Sequence, residues 1–236
     1  MKLAHVPSVM AVLAALALAA SGFGARFGIW DFRFGFQLLR WSFYAGLAVA
    51  ALALIMLIVP RLRSGRAASL AVALIIGLAV AYFPWHWQRE ARALPPINDI
   101  TTDTANPPAF VAVIPLREGS QVPTTYPGAE TAAKQQTAYP DIRPLDLKMP
   151  PDTAFARALD AAKSFGWQID GTDAASGRIE ATATTPWFGF RDDVVIRVTP
   201  EAGGSRVDVR SLSRVGKGDL GANAKRIRAY LAKLSE

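Results

Sequence analysis

The stretch TTPWFGFRDDVVIRV, residues 184–198, contains the residues best suited to chemistry. Asp192 and Asp193 are adjacent carboxylates and invite comparison with the paired acids of glycosidases. Neighbouring side chains of a β-strand point to opposite faces, however, so these two carboxylates cannot act on one substrate bond. The sequence therefore predicts separate environments for Asp192 and Asp193, and no catalytic pair.

A hairpin is predicted to join the strand of Asp192 to the next strand of the chain. We expect Arg197 to lie opposite Asp208, and the same register places Asp192 opposite Ser213. An uncompensated buried carboxylate is costly. We therefore expect neighbouring serine hydroxyls or Arg226 to satisfy Asp192, which gives it a structural role.

A small polar pocket for an anionic or hydroxylated ligand is the alternative hypothesis for this region. Aromatic walls, cationic donors and polar side chains would line it. The candidate ligand-binding residues are Trp187, Phe190, Arg191, Asp192, Ser211, Ser213, Arg214, Lys217, Asn223 and Arg226. In the simpler interpretation, Trp187, Phe188 and Phe190 cover the edge of a hydrophobic core.

Histidine and cysteine are too scarce for several catalytic chemistries. The chain has no cysteine, and its two histidines, His5 and His86, lie in or beside apolar segments. The rest of the chain offers no Ser-His-Asp triad, no Cys-His pair and no imidazole or thiolate ligand for zinc. We predict a non-enzymatic accessory or binding domain without catalytic residues, metal or cofactor. The competing hypothesis is a hydrolase or transferase that uses Asp192 with Ser213 or Lys217.

The motif GKGDLG, residues 216–221, resembles a phosphate-binding loop only in part. It lacks the four-residue spacer and the Gly-Lys-Ser/Thr ending of a Walker motif. A glycine-rich turn before a helix still offers free N–H groups, and Lys217 adds a positive charge. Asp219 would repel an anion, so we predict a turn in which Asp219 caps the helix.

Hydrophobic periodicity predicts the elements that position these residues. Asp152 is predicted to cap an amphipathic helix that ends at Gly166, and four alternating strands follow between residues 167 and 213. A final helix is predicted to bury a stripe of apolar residues: Leu220, Ala224, Ile227, Leu231 and Leu234. The order predicts an α+β fold, in which a small four-stranded antiparallel sheet carries two helices on one face. This layout resembles the helix-grip arrangement of some bacterial envelope lipoprotein domains.

The chain is predicted to divide into a membrane region and an extramembrane part. Residues 1–94 contain three uncharged stretches, 6–25, 41–60 and 67–88, each long enough to cross a bilayer as a helix. Lys2 and the triplet Ala-Leu-Ala at residues 17–19 are also typical of a cleaved signal peptide. The length of the first uncharged stretch favours a retained helix.

The densest positive loop sets the predicted orientation. RLRSGR, residues 61–66, is expected in the cytoplasm by the positive-inside rule. Three spans then place the C-terminal domain outside, which predicts a bacterial inner-membrane protein with a periplasmic domain. Aromatic residues and arginines in residues 26–41 suit the headgroup layer.

Residues 95–150 are predicted to form a proline-rich extended linker that packs along a domain of residues 151–236. Residues 1–94 contain nine Lys and Arg against two acidic residues, whereas residues 95–236 contain seventeen of each sign. A nucleic-acid-binding surface needs basic charge on the folded domain. The neutral extramembrane part therefore excludes nucleic acid as the main partner.

The final helix has a basic face that includes Lys225, Arg228 and Lys233. A solvated face is one interpretation, since isolated surface ion pairs contribute little. The other is contact with anionic headgroups or an acidic protein. Membrane lipid, and another envelope protein, are the expected partners.

Four stretches of the chain resemble a known family. They are INDITTDTANPPAF, AYPDIRPL, GWQIDGTDAASGRIEATATTPWFGFRDDVVIRV and VDVRSLSRVGKGDLGANAKRIRAYL. Together, over residues 97 to 234, they resemble the uncharacterised family known as domain of unknown function 1499. The resemblance implies a bacterial membrane or envelope protein, with relatives in plastids, and implies no activity.

Overall fold

The computed structural model describes residues 6–236, so Lys2 and His5 lie outside the described residues. The described chain forms two compact units. The helical unit comprises the residues up to Ala93 together with Pro186–Gly189, and the α+β unit comprises Leu94–Thr185 and Phe190–Glu236.

The helical unit contains three long helices and one short one. They are α1 (Val6–Arg26), α2 (Phe32–Ile58), the one-turn α3 (Pro60–Arg63) and α4 (Ala67–Ala93). The long helices, α1, α2 and α4, are apolar enough to cross a membrane by length and composition. Helix α2 begins well before the predicted span at residue 41, because the Asp31 carboxylate accepts the Arg33 N–H at 2.8 Å and caps the helix.

Residue size is distributed across the three long helices as expected for helices in lipid. Small residues are buried where the helices meet, among them Ala11, Ala14, Gly46, Ala53 and Gly77. Large apolar side chains point outward, among them Leu13, Leu16, Leu54, Ile55, Ile75 and Leu78. Close packing of small residues is how helices associate when the surroundings are as apolar as their side chains.

Helices α2 and α4 approach most closely at Gly46 and Gly77. A Cβ added to either glycine would clash with backbone atoms of the other helix. We expect Gly46→Leu to destabilise the helical unit by about 1–3 kcal/mol or more, because the helices must separate to admit the side chain. Unfolding of the full-length protein in mixed detergent micelles measures this. The control is Ala48→Leu on the exposed side of α2, and an equal loss in both variants would contradict close glycine packing.

The α+β unit contains an antiparallel sheet of six strands. The strands are β1 (Asp99–Thr101), β2 (Leu145–Leu147), β3 (Gln168–Asp173), β4 (Arg178–Thr184), β5 (Arg191–Glu201) and β6 (Gly204–Ser213). The helices are a 3-10 helix (Ile114–Arg117), α5 (Ala129–Ala138), α6 (Pro151–Ser164) and α7 (Ala222–Ser235). The α+β class is confirmed.

The predicted count of four strands is wrong, because the stretch predicted as a linker contributes two. Strands β3 to β6 follow one another as neighbours in the sheet, and both β1 and β2 pair with the outer edge of β6. Gln135 of α5 closes the free edge of β1, since its side-chain amide bonds the N–H and the C=O of Thr101 at 2.9 and 2.6 Å. Short strands sealed by side chains prevent edge-to-edge association.

Helices α6 and α7 cover one face of the sheet, as predicted. Their buried side chains, including Ala158 and Ile227, pack on inward residues of β4, β5 and β6. Tyr230, absent from the predicted stripe, is fully buried and donates a hydrogen bond to the Ala158 carbonyl at 2.8 Å. Asp152 is not the cap of α6, because the residue that precedes the helix is Pro150. Pro151 is the first residue of the helix, where the backbone N–H has no intrahelical partner and proline is well tolerated.

The second face of the sheet is also covered, which strand periodicity did not predict. Residues 102–127 run across it, and Phe110 and Val113 pack against Val195 of β5 and Leu212 of β6. Side chains on this face that alternation assigns to solvent are therefore buried. Several of them are charged.

Candidate functional site

Asp192 lies on the helix-covered face and is 3% exposed. The predicted register is confirmed, since Asp192 pairs with Ser213 and Arg197 with Asp208 across β5 and β6. The carboxylate accepts a hydrogen bond from Arg226 of α7 at 2.6 Å. Of the two predicted ways to satisfy Asp192, the structure shows the ion pair with Arg226.

The neighbouring polar groups form a hydrogen-bonded network, which we call the helix-face cluster: Asp192, Ser211, Ser213, Asn223 and Arg226. The Ser211 hydroxyl donates to the Asn223 side-chain oxygen at 2.6 Å, and Arg226 donates to the Ser211 hydroxyl at 2.9 Å. The Asn223 amide donates to the Ser213 hydroxyl at 2.9 Å. These five predicted site residues are brought together, and their polar groups bond mainly to one another.

Asp219 occupies the N-terminus of α7. Its carboxylate accepts the N–H groups of Gly221 and Asn223 at 2.9 and 2.7 Å, although the residue that precedes the helix is Gly221. An anion bound there would have to displace this carboxylate. The geometry thus favours the predicted capped turn over a phosphate site, and Lys217 projects into solvent from the same loop.

Burial raises the pKa of the Asp219 carboxyl, and the negative charge of Asp192 acts in the same direction. The folded protein therefore binds this proton more tightly than the unfolded chain does. The stabilising contribution of Asp219 is complete below its unfolded pKa and is lost as the pH rises through the raised folded value.

Asp219→Asn removes this titration and keeps a side-chain acceptor for the helix N-terminus. We expect the difference in unfolding free energy between variant and wild type to move in favour of the variant as the pH rises from about 4 to neutral. Urea titrations of both full-length proteins in detergent across this range measure the difference. A difference that moves towards the wild type would contradict the assignment.

Asp193 points to the opposite face, as predicted, and is fully buried there. Two guanidinium groups bind it: Arg117, from the 3-10 helix, and Arg214, whose Nη2 lies 2.7 Å from the carboxylate. The Thr182 hydroxyl donates to the same carboxylate at 3.0 Å. Burial lowers the pKa of Arg117, and the charge of Asp193 opposes that shift.

A second buried pair joins β1 to β6 on this face. Arg210 binds Asp99 in a bidentate arrangement at 2.9 and 2.7 Å, and both residues are at most 2% exposed. The guanidinium group also lies 4.9 Å from the ring centroid of Phe110, a cation–π distance. Burial raises the pKa of the Asp99 carboxyl, although the bonds from Arg210 act against that shift.

Glu180 of β4 is a further buried acid of this face. Its carboxylate accepts three consecutive backbone N–H groups, of Val111, Ala112 and Val113, at 2.9–3.0 Å. Arg178 lies 3.1 Å from the same carboxylate. Glu180 therefore attaches the covering segment to the sheet. We call Asp99, Glu180, Asp193, Arg117, Arg210 and Arg214 the opposite-face network.

The remaining predicted site residues do not join the helix-face cluster. Arg214 belongs to the opposite-face network, whereas Arg191 is exposed at the start of β5. Phe190 is half-buried, and its N–H donates to the Thr185 hydroxyl at 2.9 Å. Trp187 belongs to the helical unit.

Trp187 and Phe188 pack among the helices of the helical unit. The indole N–H of Trp187 donates to the Ala19 carbonyl at 3.1 Å, and its ring lies 5.1 Å from that of Trp87. Phe188 lies 5.0 Å from the ring of Phe36. These two aromatic side chains belong to the helical unit, whereas Phe190, grouped with them in the prediction, belongs to the α+β unit. Aromatic composition identified an apolar environment without indicating which one.

Sequence reasoning missed the opposite-face network because alternation on a strand does not show what covers each face. A signal was present in β4, β5 and β6, whose outward positions carry charges of both signs. The hairpin register already placed Arg197 beside Asp208, and these residues do pair at 2.9 Å. Such facing opposite charges indicate ion pairs but do not reveal burial.

The fold and these clusters define a class of protein: apolar N-terminal helices followed by an antiparallel α+β domain with buried ion pairs on both faces of its sheet. The chain belongs to the family described as "Protein of unknown function (DUF1499)", whose family model matches residues 99–234. The resemblance inferred from the four sequence stretches is thereby confirmed. The search of curated proteins gave no match.

Proposed function

We propose that this protein is anchored in a bacterial inner membrane by α1, α2 and α4 and presents its α+β domain to the periplasm. The distribution of small buried and large exposed side chains on these helices supports the anchoring. Packing of α1 residues such as Ala11 with α2 and α4 supports a retained first helix over a cleaved signal peptide. Arg61 and Arg63 of the α2–α4 connection are exposed and support a cytoplasmic position for that loop.

Reporter fusions test this orientation. Alkaline phosphatase folds to its active form outside the cytoplasm, where its disulfides form. We expect activity from a fusion after Glu236 and none from a fusion at Arg63. The reverse pattern would refute the periplasmic placement and leave the membrane anchoring intact.

The domain itself is proposed to be a non-enzymatic accessory or binding module of the cell envelope. The observation that carries this proposal is the engagement of Asp192, the leading candidate for chemistry, in a buried ion pair with Arg226. Ser213, its candidate partner for catalysis, accepts a hydrogen bond from Asn223 instead. A catalytic carboxylate must reach substrate or a nucleophile, and this one is directed at a structural cation.

The competing class is the hydrolase or transferase that uses Asp192 with Ser213 or Lys217. Full-length protein in detergent, assayed with ester, phosphate and glycan substrates, distinguishes the two. We expect no turnover that depends on Asp192. Turnover abolished by Asp192→Asn, in a variant that retains its circular dichroism spectrum, would establish the enzymatic class.

A further inference from the structure

The segment that covers the second sheet face carries an exposed aliphatic ridge. Val111, Ile114 and Leu116 are 50, 52 and 46% exposed. They lie within six residues of chain, whereas Phe110 and Val113 of the same segment are buried against the sheet. The segment therefore has a buried apolar side and an exposed apolar side. Clustered exposed apolar side chains are typical of interaction sites.

Buried charges fix the backbone beneath the ridge. Glu180 binds the N–H groups of residues 111–113, and Asp193 binds Arg117 just beyond Leu116. The Leu116 carbonyl also accepts a hydrogen bond from Arg214 at 2.8 Å. A backbone attached in this way cannot rearrange to bury the ridge. The fold thus holds three aliphatic side chains in solvent in one defined arrangement, which lowers the entropic cost of binding.

Exposed cations lie at the same end of the sheet as Leu116. The Arg214 side chain bonds the Leu116 carbonyl, and the Arg214 backbone N–H donates to the Arg191 carbonyl at 3.1 Å. Arg191 is exposed, as is Lys217 three residues after Arg214. Within residues 6–236 neither of these cations has an ion-pair partner.

This end of the sheet is also close in the chain to a short segment of the helical unit. Arg191 follows Gly189, the last residue of the segment that belongs to the helical unit, by two positions. In the proposed anchoring the bilayer already holds α1, α2 and α4 of the same chain, and attachment raises the effective concentration of its surface. Aliphatic side chains beside unpaired cations match the apolar boundary and anionic headgroups of a bilayer surface.

We propose that the aliphatic ridge, with Arg191 and Lys217, binds the surface of a bilayer that contains anionic lipid. This inference rests on the proposed membrane anchoring and adds a second, peripheral lipid contact made by the α+β domain. It assigns to lipid headgroups two cations that the sequence suggested for an anionic ligand.

Site-specific fluorescence tests the proposal, because the chain has no cysteine and a single introduced thiol labels cleanly. Full-length protein carrying Ile114→Cys or Leu116→Cys is labelled with an environment-sensitive dye and reconstituted into vesicles of phosphatidylcholine and phosphatidylglycerol. We expect blue-shifted emission and strong quenching by brominated lipids. Ala202→Cys, in the exposed β5–β6 turn at the other end of the hairpin, is the matched control and should keep water-like emission.

Charge gives a second arm of the experiment. Arg191→Gln together with Lys217→Gln should weaken binding of the ridge to anionic vesicles, which is measured as quenching at Leu116→Cys. The binding equilibrium constant should fall roughly fivefold for each charge removed. In vesicles of phosphatidylcholine alone the two substitutions should have little effect.

The outcomes separate this inference from the proposed anchoring. A label at Leu54→Cys, exposed on α2, reports insertion of the helices directly. Quenching at Leu54→Cys with water-like, unquenched labels on the ridge would overturn the lipid contact alone. Absence of quenching at Leu54→Cys would overturn the anchoring itself. Blue-shifted ridge labels that brominated lipids do not quench would indicate a protein partner or second copy and would also overturn the proposal.

Discussion

Asp193→Ala is expected to destabilise the α+β unit by about 3–5 kcal/mol, because it leaves two cations buried without their counter-ion. Asp193 is fully buried, and the side chains of Arg117 and Arg214 are 5 and 12% exposed. Arg117 is part of the segment that covers the sheet, and Arg214 donates a hydrogen bond to the Leu116 carbonyl of that segment at 2.8 Å. Hydrogen exchange of the β5 and β6 amides in the full-length protein measures the loss.

Two further variants separate the charge effect from lost packing. Asp173→Ala removes an exposed carboxylate that pairs with Arg178 on the protein surface, and it should cost less than about 1 kcal/mol. Combining Asp193→Leu with Arg117→Met and Arg214→Met removes all three charges and should recover part of the stability. An Asp193→Ala variant as stable as Asp173→Ala would show that the buried ion group contributes nothing to the fold.

Glu180→Ala is expected to release the segment that carries the aliphatic ridge. Its carboxylate satisfies three backbone N–H groups, and each one left buried without a partner costs about 1–3 kcal/mol. We expect a total loss of about 3 kcal/mol or more, unless the segment detaches and lets water reach these groups. Either response speeds hydrogen exchange at Val111, Ala112 and Val113.

The conservative variant Glu180→Gln tests whether the charge matters. Gln keeps one acceptor oxygen and loses the charge that strengthens these bonds, so exchange should lie between that of wild type and Glu180→Ala. Glu201→Ala, at an exposed position near the β5–β6 turn, is the control and should leave the segment unchanged. Protection of the three amides that survives Glu180→Ala would exclude Glu180 as the attachment point.

Local patterns predicted much of the α+β unit. Alternation along β5 placed Asp192 and Asp193 on opposite faces, and the predicted pairing of Arg197 with Asp208 placed Asp192 opposite Ser213; the structure agrees with both. Such inferences succeed because side chains alternate along any strand, and a hairpin couples two stretches that are adjacent in the chain. The outward face of the final helix was also predicted, although Arg228 there binds Asp141 of the preceding segment at 2.7 Å.

Distant parts of the chain decided the rest of the candidate site. Asp193 is bound by Arg117, 76 residues earlier, and Asp99 by Arg210, 111 residues later. Periodicity extends over a few residues and carries no information about which remote segment will cover a face. The two edge strands, β1 and β2, were missed for the same reason, since each has only three residues and pairs with a partner far along the chain.

The sequence by itself determined the apolar helices, the α+β class, the opposed faces of Asp192 and Asp193, and the family. Only the tertiary structure decided that Arg226 satisfies Asp192, that residues 102–127 bury the second face, and that Trp187 packs among the helices. The physical reason is the range of the forces that act on each residue. Alternation, helical amphipathicity and span length depend on neighbours in the chain, whereas burial of a charge depends on the segment that folds over it.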